Sequence, residues 1–233
     1  MIKAAISQSN YIPWRGYFDM IASVDYFVLY DSVQYTKGDW RNRNIIKTAQ
    51  GGEWITIPVE NQSLAQSIDE TFISRGKSQW HLKHLKILKQ NYSKSENFKN
   101  VFPWLENIYL NKINQPTKLT DVNEILIKEI CDYLNIKTKI LRDRDLLIEG
   151  DRNSKLINIC KQLDANVYLS GPAAKIYVDE ELFSRNGIEV EWMNYNGYKE
   201  YNQLYGAFLP SVTILDLLFN MGECSKEFFS IKD

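Results

Sequence analysis

The sequence predicts an α/β fold, built as Rossmann-like βαβ halves with a helical middle segment. Apolar runs of strand length lie near both ends of the chain, helix-length segments alternate with them, and the centre carries apolar residues at helical spacing. Ile2 to Ser7 gives a first strand, Gln8 to Gly16 a polar-aromatic loop, Tyr17 to about Ser23 a helix, and Tyr26 to Tyr30 a second strand. Both strands are continuous apolar runs, as buried parallel strands are, so the unit reads as a right-handed βαβ crossover. Trp54 to Val59 is a third strand candidate.

The middle reads as helix. Leu85, Leu88 and Tyr92 repeat at helical spacing between Trp80 and Tyr92. Asp121 with Glu124 forms an expected N-terminal box, ahead of an apolar stripe of Val122, Leu126, Ile130 and Leu134. Between them, Ser93 to Leu119 is Asn- and Lys-rich, holds Pro103 and Pro116, and reads as a surface excursion or a lid. In the last third, Ser154 is the expected cap of a helix through Leu163, and residues 166–170 (NVYLS) read as a strand ending at Gly171-Pro172. A helix through Phe183 stops near Gly187, and residues 188–192 (IEVEW) make the next strand. Ser211 is the expected cap of VTILDLLFNM, with Gly222 as terminator. The expectation is one domain, with an α/β core over about 1–60 and 136–222 and a helical insertion over about 78–135.

Composition narrows the partners. Lys plus Arg number 28 against 29 Asp plus Glu, which gives no basic footprint for nucleic acid or a membrane surface. No segment approaches the ~20 apolar residues of a membrane span, and MIKAAISQSNYIPW has no apolar run of signal-peptide length. Cys131, Cys160 and Cys224 are scattered without a CxxC pair, which suits a reducing, cytoplasmic setting and no zinc motif. Cys131 and Cys160 fall on apolar helix faces as core fillers. The 14 Tyr and 6 Trp suit either an aromatic core or contacts with sugar and nucleobase.

Several clusters could carry chemistry. Gln8, Asn10, Tyr11, Trp14 and Tyr17 sit in the loop after the first strand, where open α/β sheets bind ligands and the next helix offers amides to an anion. The other reading is a turn pinned by Pro13 and Gly16. No GxGxxG or GxxxxGK[ST] occurs, so neither a dinucleotide site nor a P-loop is supported. Asp31 and Gln34 follow the second strand beside this loop; Asp31 either orients a base or substrate hydroxyl or caps a turn. Trp40, Asn42 and Asn44 would share one face of an extended segment, with Arg41 and Arg43 on the other. Trp and amides suit a sugar or base, and the Arg pair, Arg43 included, suits a phosphate or carboxylate; the other reading of the pair is a solvated edge strand. His81 and His84 are the only histidines, three apart, and HLKH lacks the HExxH of a zinc protease, so no metal is expected. His84 is the candidate general base and otherwise a packing residue. Ser170 ends a strand and either offers a backbone site or makes a plain turn. Asp216, inside an apolar helix, should bond a neighbouring element.

Taken together, these stretches resemble the WbqC-like family. The carrying residues are QSNYIPWRGYF (8–18), DYFVLYDSVQY (25–35), WRNRNIIK (40–47), KHLKILKQNY (83–92), YLSG (168–171) and LDLLFNMG (215–222), in the family's order. Ser9 stands where the family usually has Pro, which loosens the first loop, and Ser32 where Asp is common, which removes one carboxylate. The resemblance implies a role in bacterial surface polysaccharide (O-antigen, lipopolysaccharide) biosynthesis. It implies a transferase placing a glycyl or related acyl group on a nucleotide-linked amino sugar, with an acyl thioester on coenzyme A or an acyl carrier protein as co-substrate and no bound cofactor. His84 and Asp31 would be catalytic, and Lys83 joins the substrate-binding candidates. A non-catalytic sugar-binding or scaffolding subunit and a nucleotidyl transfer enzyme are the alternatives.

Overall fold

The computed structural model describes residues 1–60, 63, 65–77 and 79–229. Its centre is a five-stranded parallel sheet made of β1 (Lys3–Ser7), β2 (Tyr26–Leu29), β5 (Lys139–Arg142), β6 (Val167–Ser170) and β7 (Glu189–Trp192), in the order β5-β2-β1-β6-β7. Helix α1 (Arg15–Ala22) connects β1 to β2, and α6 (Glu180–Arg185) lies between β6 and β7. The fold is α/β, with the two βαβ units side by side in one sheet.

Side chains alternate across the strands, and the two faces carry two separate cores. Ala5, Phe27, Leu29 and Leu169 join Phe18 and Ile21 of α1 in the larger cluster. Ala4, Ile6, Val28 and Tyr168 join Leu156, Ile159 and Cys160 of α5 (Arg152–Gln162) and Phe183 of α6 in the smaller. The larger core also takes in α2 (Trp80–Tyr92), α3 (Phe98–Asn111) and α4 (Leu119–Tyr133) through Leu88, Leu105, Leu126 and Ile130, all fully buried. Helix α7 (Ile214–Met221) completes it with Leu215, Leu218 and Phe219.

Several boundaries differ from expectation, each for a local reason. The segment read as a surface excursion contains α3. Val101, Phe102, Leu105, Ile108 and Tyr109 recur at helical spacing and are buried, and the helix continues through Pro103, its sixth residue. The strand expected at 54–59 is β4 (Gly51–Thr56), paired antiparallel with β3 (Arg43–Thr48) in a separate two-stranded sheet. Strand β5 was not foreseen; at the sheet edge its first residue is exposed and the other three only partly buried, which weakens their apolar pattern. Asp151, not Ser154, caps α5 by accepting from the Ser154 N–H at 2.8 Å, and Thr213, not Ser211, caps α7. Asp121 and Glu124 form no capping box, since both pair with Arg142 of β5. Gly222 does end α7, at φ +54°. No helix among the described residues is long and apolar enough to cross a membrane.

Candidate functional site

In this sheet the chain runs outward from β1 through β2 to β5, then returns to the other side of β1 with β6 and β7. The carboxyl ends of β1 and β6 therefore flank a topological switch point, where open α/β sheets hold ligands. Two adjoining cavities lie there. One, of about 590 Å³, is walled by Ser7, Gln8, Tyr30, Gln34, Tyr168 and Tyr177, with Arg152 and Lys155 from the start of α5 on its rim. The other, of about 310 Å³, shares Ile6, Ser7 and Tyr177 with the first and adds Trp14, Tyr17, Ser170 and Tyr195. The Arg152 guanidinium stacks 4.7 Å from the Tyr177 ring centre. Ser170 donates to the Tyr168 hydroxyl at 3.2 Å, and Tyr17 donates to the Gln8 carbonyl at 3.0 Å. Burial raises the Tyr30 hydroxyl above its usual range and Tyr168 further, so both stay neutral donors.

Trp14 is also a wall of a third cavity, of about 190 Å³, with Asn10, Trp40, Asn44 and Ser211. Its indole folds back over Gly16, where a Cβ would sit 2.4 Å from the ring, so any larger residue there would displace the indole. The loop below is strained: Ile12 has φ +38°, unusual for a β-branched residue. Asn44 holds it, its amide donating to the Tyr11 and Ile12 carbonyls at 3.0 and 2.9 Å while its oxygen accepts from the Ile45 N–H. Thr213 adds a bond to the Ile12 carbonyl at 2.7 Å. Asn10 accepts from Arg41.

Lys83 and His84 lie elsewhere. They line a groove of about 680 Å³ between β4 and α2, which shares no lining residue with the switch-point cavities. His84 is buried, with Nδ1 2.8 Å from the Tyr11 hydroxyl, which in turn lies 2.5 Å from the Tyr109 hydroxyl. Burial lowers its pKa to about 4 against a smaller opposing contribution from the Thr56 backbone, so the ring is neutral near pH 7. Asp31 does not meet His84. Its carboxylate accepts from the Ser9 N–H at 2.8 Å and from the Thr120 hydroxyl, tying the first loop to the start of α4. Burial raises the Asp31 pKa. Arg43 packs over Trp54 at 4.1 Å and donates to the Gly38 carbonyl. His81 stays beside Trp80, and its Nδ1 is buried with no hydrogen-bond partner among the described residues.

Structure thus gathers Gln8, Trp14, Tyr17, Gln34 and Ser170 at the switch point, and Asn10, Trp40 and Asn44 in the neighbouring cavity. It leaves Tyr11 and Asp31 as buried braces. Sequence reasoning missed Arg152, Lys155, Tyr30 and Tyr177; Gly150-Asp151-Arg152 marks the helix start that brings the cations in. Asp216 bonds its neighbours as foreseen, accepting from Tyr92 at 3.0 Å and Tyr201 at 2.8 Å. Cys131 and Cys160 are free and buried, and Cys224 is exposed.

The profile of the WbqC-like protein family matches residues 8–227. The chain is also 48% identical, over 223 residues, to the uncharacterized protein Rv1507c of Mycobacterium tuberculosis, covering 95% of each. Both the switch-point loop and α7 fall inside the matched region. The chain belongs to the WbqC-like protein family.

Proposed function

We propose that this protein is a transferase of bacterial surface-polysaccharide biosynthesis, acylating the amine of a nucleotide-linked amino sugar with an acyl group delivered as a thioester. The observation that carries the reading is the switch-point crevice, in which aromatic rings line the walls and Arg152 and Lys155 stand at the rim. Tyr30, Tyr168 and Tyr177 suit a base and ribose, and the two cations suit a diphosphate. The sugar then extends past Trp14 towards Asn10 and Ser211. Its free amine attacks the thioester carbonyl carbon; a C–N bond forms, the C–S bond breaks, and the departing thiolate takes up the proton lost by nitrogen. The acyl step itself rests on the family resemblance.

A non-catalytic sugar-binding subunit is the second reading. What favours it is that His84 is tied into the core and Asp31 into the loop, so neither stands over the crevice as a base. One experiment separates the two. Nucleotide-linked amino sugars are titrated calorimetrically, then incubated with acyl thioesters while amide product is followed by mass spectrometry. Binding with amide formation is expected, and Arg152→Ala should weaken binding about tenfold by removing a charge-assisted contact. Binding without product selects the second reading. Absence of binding, or binding indifferent to Arg152→Ala, overturns the crevice assignment.

A further inference from the structure

The groove between β4 and α2 lies apart from the crevice assigned above to the sugar nucleotide, and its chemistry is one-sided. Lys83 and Lys86 stand exposed on its rim, and no carboxylate among the described residues lines it. Helix α2 contains Lys83, Lys86 and Lys89 and not one acidic residue, in a chain whose net charge is −1. Beneath the rim, Ile55, Trp80 and Ile87 make an apolar lining, and His84 below is neutral. The volume of about 680 Å³ is that of a ligand cleft, which typically spans ~300–1,000 Å³. Among the described residues strand β4, which forms one wall, pairs with a strand on one edge; on the other the Thr56 backbone meets His84, and the main chain preceding Thr56 can meet an extended amide-bearing chain.

Position adds to chemistry. Trp54 lines this groove and Trp40 lines the small cavity beside Trp14, and the two rings lie 5.0 Å apart. The groove therefore adjoins the end of the crevice where the sugar amine would arrive.

Resting on the acyl-transfer reading above, we infer that the β4–α2 groove is the donor site, taking the phosphate-bearing, amide-linked arm that carries an acyl thioester. Lys83 and Lys86 hold the phosphate, the apolar lining takes the methylene and amide portions, and the thioester end points past Trp54 and Trp40. The same arm occurs on coenzyme A and on a phosphopantetheinylated carrier protein, and the test distinguishes them.

Calorimetry with coenzyme A, and separately with a phosphopantetheinylated acyl carrier protein, is run on the native chain and on the Lys83→Glu/Lys86→Glu double variant. Both lysines are exposed, so circular dichroism should show the fold retained. Expected is binding of at least one probe, weakened about tenfold or more in the variant, with nucleotide-sugar binding unchanged. Coenzyme A binding identifies the free thioester as the source; binding of the carrier alone identifies the carrier. Binding of neither probe, or binding untouched by the charge reversal, overturns the inference. Loss of nucleotide-sugar binding by the native chain, with probe binding intact, overturns the acceptor reading and leaves this one standing.

Discussion

Tyr11, His84 and Tyr109 form a buried relay in which each polar atom depends on the next. His84 has both a hydroxyl partner and a low-dielectric setting, and burial holds its pKa at about 4 instead of 6.5. An unfolded chain restores the ordinary histidine value, so unfolding takes up a proton between those limits. The stabilisation is full above pH 6.5 and is lost as pH falls towards 4, amounting to about 3 kcal/mol over the window. Urea midpoints measured from pH 7 to pH 4.5 should show this loss in the native chain. The His84→Gln variant should be less stable at neutral pH but flatter across the range; equal slopes for the two proteins would show that His84 is not the titrating group. The residue types at the site were legible because Trp, Tyr and amides concentrate after β1. Their roles were not, because Asn44, Asp31 and His84 look like ligand contacts until their partners are known. All three proved to bond backbone or buried hydroxyls, contacts made by residues as far apart as Asp31 and Thr120.

Elements were legible where one local signal sufficed. Strands β1, β2, β6 and β7 and helices α2, α4 and α7 each announce themselves by an apolar run or a helical period. Helix α3 was hidden because Pro103 and a polar surface masked a face that is fully regular, and β5 because an edge strand needs little apolar content. The end of α7 shows how such elements lock together. The last carbonyls of a helix lack partners within it, and here Asn97 supplies them, its N–H donating to Phe219 and its side-chain amide to Asn220 at 2.9 Å. Gly222 then turns away at φ +54°, with Asn97 so close that a Cβ would lie 2.5 Å from its amide oxygen. Gly222→Ala should therefore cost about 2 kcal/mol, from backbone strain and a displaced Asn97 together. Thermal and chemical denaturation measure it; a cost within a few tenths of a kcal/mol would mean the junction relaxes freely.

Across the whole molecule, two cores clamp one parallel sheet, and that arrangement decides where ligands can go. Both sheet faces are filled, by α1 with α2–α4 on one side and by α5 with α6 on the other, so cavities open at the strand ends, the crevice at the carboxyl end. The α/β class followed from the sequence, as did the gathering of aromatic and amide residues in the loop after β1. The split into crevice, small cavity and groove did not, since it depends on β3 and β4 leaving the main sheet to stand beside α2. The tryptophans follow that same line. Trp14 borders the crevice and the small cavity, Trp40 the small cavity, and Trp54 and Trp80 the groove, whereas Trp104 and Trp192 border none of these cavities. The protein consequently carries its own optical labels, one set for each chamber. A nucleotide sugar should shift the indole emission through Trp14, and the shift should vanish in Trp14→Phe but persist in Trp54→Phe. A ligand seated between β4 and α2 should show the opposite dependence, so that steady-state fluorescence of single-tryptophan replacements reads out which chamber has filled.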